Sequence, residues 1–360
     1  MAETPKWTLE QLQQHLQAAV DLEFWTIPFY LSAMYSIKDA GDPAYQTILS
    51  VVNQEMLHVQ LAANLANAYG LSPNFPVPIY QNGYIPHLDF DLDTPNPELE
   101  FPAHSSEIGP FDQARLDTMC LIEYPMWMGE EEPTPGPEYT EYGSIGEFYQ
   151  SVSVGAAQLA ACIRPVNQVN LFQRFYNHFK GMTITQAGVH GLPEVVNIVT
   201  GICEQGEGRT GGGKRNATKA PEPWAKHSIS PRYRNTADDT DPSWTHFQKF
   251  MSLWRSGHFP ATYQGNPVPG PGSAGAKAQQ VLVENFTAFR TMLDALFANG
   301  HPINFAVEMD RLGGAILNCW KNGATPCFGP SLASNALGSG RTFPRLDRLN
   351  RKRGGAPKSA

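Results

Sequence analysis

Apolar residues recur along the first part of the chain at alternating spacings of three and four. Leu9, Leu12, Leu16, Ala19, Ile27, Tyr30 and Met34 form one such seam, which predicts a helix over residues 8–36. Thr8, with Gln11 three residues on, supplies a capping box for its start. Pro28 falls inside this helix and deprives the Phe24 carbonyl of its donor, so a kink is expected there. A second seam, Ile48, Val52, Val59, Ala62, Ala66 and Tyr69, predicts a helix over 43–69 that ends at Gly70. Shorter helical patterns follow near 111–123, stopped by Pro125, and then over 144–162, 192–205, 242–255, 276–298 and 303–322. No strand-like alternation persists. The stretches 71–110, 129–143, 206–241 and 264–275, rich in Pro, Gly and charged or amide residues, are expected to be long connections. Long connections within one compact fold usually carry function or cover a site. The pattern predicts an all-α protein.

Composition narrows the class. The chain has 360 residues, with 34 acidic and 26 basic side chains and a formal charge of −8. Seven of the basic residues lie in the last 20 positions, beside a single acid, Asp347, which leaves 33 acids and 19 bases in the body. A body this acidic repels nucleic acid and anionic membrane, so neither is an expected partner. Residues 331–360 read as a basic, disordered tail. No run of 18 apolar residues occurs, and the Met-Ala-Glu-Thr-Pro start has no basic region followed by an apolar run. Five cysteines, an odd number without any CxxC pair, disfavour a disulfide framework or a structural zinc site. A cytoplasmic protein is expected. The segment Gly208–Lys214 has the look of a phosphate loop, but Arg215 replaces the required Ser or Thr and no apolar strand precedes it.

Two residues break the seams in the same way. Stepping along the first helix gives Leu16, Ala19, Glu23, Ile27 and Tyr30; along the second, Ile48, Val52, Glu55, Val59 and Ala62. A buried, unpaired carboxylate costs several kcal/mol, so such a group is paired, protonated or bound to metal. His58 follows Glu55 at i+3 and projects from nearly the same face. Glu-x-x-His with a Glu on the neighbouring helix is half of a di-metal site in a bundle core. The second half has several candidates. Glu147 opens the third long helix in a Glu-Phe-Tyr run that echoes Glu23-Phe24-Trp25, but Ser144-x-x-Glu147 is equally a capping box. Glu204 ends the fourth helix, and His246 opens the helix after the insertion, so residues 208–241 would interrupt a second Glu–His unit; taken alone, His246 reads as a packing or capping residue. Glu123, among apolar neighbours before Pro125, is an alternative ligand or a supporting carboxylate, and Glu207 has the same standing. Phe24, Trp25, Tyr30, Phe148 and Tyr149 flank these positions as substrate walls or plain core.

Leu22-Glu23-Phe24, Asn53-Gln54-Glu55-Met56-Leu57-His58, Leu121-Ile122-Glu123-Tyr124-Pro125, Ser144-Ile145-Gly146-Glu147-Phe148-Tyr149, Ile202-Cys203-Glu204-Gln205-Gly206-Glu207-Gly208 and Thr245-His246-Phe247 carry a family resemblance. Over about residues 10–255 the chain resembles the ferritin-like domain of the iminophenyl-pyruvate dimer synthases of violacein- and rebeccamycin-type pathways, and stand-alone proteins of that type. The resemblance implies a ferritin-like four-helix bundle over 1–255, with further helices over 256–330 packed on it, and raises Glu147, Glu204 and His246 as ligands beside Glu23, Glu55 and His58. Four carboxylates and two imidazoles suit two iron ions, or manganese, better than zinc. The implied activity is a non-heme di-iron oxygenase or oxidase that uses O2 or peroxide on a small organic substrate, an amino-acid-derived or other secondary metabolite. The alternatives are a ferroxidase or iron-handling protein, and a metal-free helical interaction module. Oligomeric state is left open.

Overall fold

The computed structural model describes residues 6–93, 96–125, 136–206, 229–234, 239, 241–300 and 304–329. Among them are eight α-helices and no strand beyond isolated backbone bridges. Helix α1 (Leu9–Ser36) begins at Thr8, whose side chain accepts from the Gln11 amide while the Gln11 side chain accepts from the Thr8 amide. It runs through Pro28 as one element. Helix α2 (Pro43–Ala68) starts on an Asp42 cap with Pro43 in its first turn, where proline loses no hydrogen bond, and stops before Gly70, whose φ of 77° only glycine adopts easily. Helices α3 (Gln113–Ile122), α4 (Ile145–Gln158), α5 (Leu192–Gly206), α6 (His246–Ser256), α7 (Ala274–Asn299) and α8 (Phe305–Lys321) follow, close to the expected spans.

Four helices close a ring: α1 packs on α2 and α4, and α5 packs on α2 and α4. Helix α6 joins α2, α3 and α5, while α7 and α8 form a pair laid against α1 and α2. Almost the whole length of α1 is buried, because α8 covers a second side of it. The core is strongly aromatic. Phe24 stacks on Phe286 and meets Phe75 edge-on, and Trp25 stacks on Phe29. Each fully buried ring of this kind contributes about 1.5–3 kcal/mol of transfer free energy. Residues Met1–Gly329 form one compact unit, and Pro330–Ala360, which includes the basic tail, lies outside the described residues. All five cysteines are free. Among the described residues no helix is long and apolar enough to cross a membrane.

Candidate metal centre

Inside the bundle, α1 and α2 bring Glu23, Glu55 and His58 together, and the two breaks in the apolar seams meet one another. All three are buried. His58 Nδ1 lies 3.5 Å from Glu23 Oε2 and 3.5 Å from Glu55 Oε1. His246, the first residue of α6, enters from the other side, with Nδ1 2.7 Å from Glu55 Oε1 and 3.3 Å from Glu123 Oε2. Glu55 therefore stands between two imidazoles, with one further carboxylate beyond each. A capping box between Thr245 and Gln248 fixes the start of α6 and with it the His246 side chain. Glu123 sits at the C-cap of α3, where the helix has ended and Pro125 follows. The last residue of α5, Gly206, passes so close that a Cβ there would stand 3.1 Å from Glu123 Oε2.

Neighbouring side chains hold each group. Tyr149 of α4 donates to Glu23 Oε1 at 2.5 Å, Tyr30 donates to Glu123 Oε1 at 2.8 Å, and Thr26 donates to Glu55 Oε2 at 2.9 Å. His58 Nε2 meets Gln205 Oε1 at 2.9 Å, and His246 Nε2 meets Gln54 Oε1 at 2.7 Å. The Gln205 amide is oriented by its own Nε2, which donates to the Tyr233 carbonyl at 2.6 Å, so Oε1 accepts from His58. That assignment keeps a proton on His58 Nε2 and turns Nδ1 toward the carboxylates, as a lone pair in the neutral ring and as N–H in the charged one. His246 also turns Nε2 to an amide oxygen and Nδ1 to carboxylates, but Gln54 Nε2 has no hydrogen-bond partner among the described residues to orient that amide. His246 Nδ1 is buried and has no aligned hydrogen-bond partner, despite the 2.7 Å approach of Glu55.

The electrostatics are those of a tightly packed charge cluster. Burial, reinforced by the charge of Glu55, raises the Glu23 carboxyl above its usual range against the pull of His58 and Tyr149. Burial also opposes ionisation of Glu55, but His58 and His246 together outweigh it and hold that carboxyl below its usual range. Burial resists charging of both imidazoles. The carboxylates prevail: Glu55 and Glu23 raise His58 well above the ordinary value, and Glu123 and Glu55 raise His246.

This donor set fits a metal. Ligand atoms of Glu55, His58 and His246 all lie within 4.8 Å of one another. Each imidazole presents Nδ1 inward and ties Nε2 to an amide oxygen, the supporting hydrogen bond that metal-ligating histidines commonly make. An orphaned buried Nδ1 between two carboxylates has an evident partner in a cation.

The structure redistributes some of the residues expected from sequence. Glu147 does not join the cluster. Its Oε2 accepts from the Gly143 amide at 2.8 Å and its own amide donates to Ser144 Oγ, so it serves the N-terminus of α4, the alternative its spacing had left open. The carboxylate that completes the His246 side is Glu123. Glu204 is buried, but its Oε2 accepts from the Ser230 amide at 2.8 Å, beside Asn197 and Arg232 at a surface cleft. One residue along α5 is about 100° around the helix, and it is Gln205 that faces His58. Glu207 and most of the 208–241 insertion lie outside the described residues. Of the aromatics, Tyr30 and Tyr149 touch the cluster through their hydroxyls. Phe24 and Trp25 pack in the aromatic core, and Phe148 packs against Tyr142 and Tyr149. Gln54, Gln205 and Thr26 were not singled out from sequence; their signal is polarity on helix faces that are otherwise apolar.

Comparison with known proteins agrees with the helical fold. The family model described as ferritin-like matches residues 16–255. A solved structure of a ferritin-like protein from Caulobacter vibrioides is 41% identical, with a TM-score of 0.77, and the match covers 90% of this chain and 100% of that one. Comparison with functionally curated proteins gave no match.

Proposed function

Because this chain belongs to the ferritin-like family, we propose that it is a dinuclear non-heme metal oxidoreductase in which Glu23, Glu55, His58, Glu123 and His246 hold two ions, iron or manganese. The observation that carries this reading is the convergence of both inward-facing Nδ1 atoms on Glu55 Oε1, with a further carboxylate beside each. Glu55 is placed to be shared, with Glu23 and His58 on one side and Glu123 and His246 on the other. When bound, the metal pair supplies redox equivalents for O2 or peroxide, and a small organic molecule is the compound oxidised.

The chain's own groups do the rest. Tyr149, Tyr30 and Thr26 fix the carboxylate orientations by donating to the oxygens turned away from the imidazoles. Gln205 and Gln54 fix the ring planes. Burial of all five ligand side chains to 3% exposure or less excludes bulk water, which strengthens every electrostatic interaction at the centre and protects reactive species from solvent.

Anaerobic loading of the full chain with ferrous iron should give about two metals per chain, as in other bundle-core carboxylate sites. Glu123→Ala should lower that number and Glu147→Ala should leave it intact. O2 uptake should then depend on an added organic compound. Uptake driven by ferrous iron alone, with ferric product accumulating on the protein, would favour iron handling. Failure to take up any transition metal would leave only a structural or interaction role.

A further inference from the structure

A cavity of about 290 Å³ opens between α2, α8 and the segment around Phe172–Tyr176. Four aromatic rings, Phe172, Phe175, Tyr176 and Phe305, form its walls together with the thioethers of Met56 and Met309. Phe172 and Phe305 meet edge-on at 5.3 Å between centroids. None of these aromatics belongs to the set that flanks the metal-centre carboxylates in the sequence.

The charge around the cavity is one-sided. Asp310 lies on its wall, is exposed, and forms no ion pair among the described residues. Asp239 is the second acid on the wall. The nearby base is Lys249, which is buried and spends its charge on Asp239 at 2.5 Å and on Ser50 Oγ at 3.1 Å. No free cation among the described lining residues offsets Asp310. Aromatic faces attract cations, a carboxylate at the rim adds to that attraction, and an anion would meet repulsion.

On its α2 side the cavity borders the helix that carries Glu55 and His58. Its α2 wall is made by Ser50, Asn53 and Met56, and Met56 is next to Glu55 in the chain. Tyr176 is buried on the cavity wall. Burial first, then the Asp239 and Glu55 carboxylates, push its phenol upward.

We propose that this cavity binds a small organic cation, an ammonium group on an aromatic or similarly apolar body. The volume lies at the lower end of the ~300–1,000 Å³ common for small-molecule pockets, in keeping with a ligand the size of an arylalkylamine. Selection of a cation by this cavity does not depend on the oxidoreductase reading.

The test is calorimetric titration of the full chain, metal-free and iron-loaded, with phenethylamine, its neutral analogue 2-phenylethanol and the anionic 3-phenylpropionate. The amine should bind about tenfold or more tighter than the alcohol, with the carboxylate weakest. Asp310→Asn, at an exposed position where folding is not at stake, should bring amine and alcohol to similar affinity. Phe175→Ala, also at an exposed position, should weaken the amine and the alcohol together. Iron content should be unchanged in both variants. Equal affinity for amine and alcohol, an unaltered preference in Asp310→Asn, or absence of binding by all three probes would overturn the proposal. Cation selectivity without metal uptake would remove the oxidoreductase reading and leave this site standing. Metal uptake without cation selectivity would do the reverse.

Discussion

At the scale of single residues, the centre depends on side chains that need not touch a metal. Gln205 bridges the His58 imidazole and the Tyr233 carbonyl, so it fixes both a proton and a ring plane. Gln205→Leu keeps the volume and removes both hydrogen bonds. Leaving a buried donor and acceptor unpaired costs about 1–3 kcal/mol for each group. Loss of the partner of a ligating histidine typically lowers metal affinity by ~10–100-fold. Metal titration alongside denaturant unfolding separates the two effects. Destabilisation with unchanged affinity would make Gln205 a packing residue only. Glu123 is the more direct case. Tyr30 orients it, Gly206 passes against it, and removing its carboxylate should take metal from the His246 side while Tyr30 loses its acceptor.

At the scale of elements, helix termini and loop crossings hold the ring of helices in register. Glu147→Ala should cost about 0.5–2 kcal/mol, the usual value of an N-terminal capping interaction, without loss of metal. A fall in metal content in that variant would return Glu147 to the ligand set. The connection between α6 and α7 crosses the chain beyond α8 through the backbone itself. Asn266 donates to the Gly323 carbonyl at 2.9 Å, and Thr325 donates to the Asn266 carbonyl at 3.0 Å. Gly265 lies in this crossing, and a Cβ there would stand 2.4 Å from the Thr325 amide nitrogen. Backbone cannot swing aside as a side chain can. Gly265→Ala should therefore destabilise by about 1–3 kcal/mol, read as a lower urea midpoint at unchanged slope, with metal content preserved. An unchanged midpoint would mean that the crossing adds little to the attachment of α7 and α8.

At the scale of the whole molecule, metal and fold should be linked. Five of the residues at the centre come from four parts of the chain, α1, α2, the end of α3 and the start of α6, and the unfolded chain does not hold them together. A ligand that binds only the folded state at a hundredfold excess over its Kd adds about 2.7 kcal/mol. Iron should raise the thermal midpoint by a few degrees, and a chelator should reverse it. Glu55→Ala should abolish that shift and His58→Ala should reduce it, while far-UV circular dichroism stays helical, since the apolar contacts of the ring do not depend on them. Collapse of helicity in either variant would instead assign the cluster a role in folding.

The eight helices were legible in the chain itself, because period-three-and-four burial, the cap at Thr8, and stops at Gly70 and Pro125 are local signals. So was half of the centre: a carboxylate on an apolar seam is out of place wherever the helix packs, which marks Glu23 and Glu55, and His58 follows one turn on. The rest was decided by packing. Glu147 and Glu123 both sit near helix ends among apolar residues, and only the placement of α3 against α6 turns Glu123 toward His246 while Glu147 turns back to its own cap. Glu204 and Gln205 are adjacent in sequence, yet about 100° of helical rotation sends one to the Ser230 amide and the other to His58. Local periodicity specifies which face of a helix is buried, but the partner of a buried polar group depends on the rotation and offset of helices distant in sequence. Those are set by interlocking of the whole aromatic core, and no short stretch of the chain contains them.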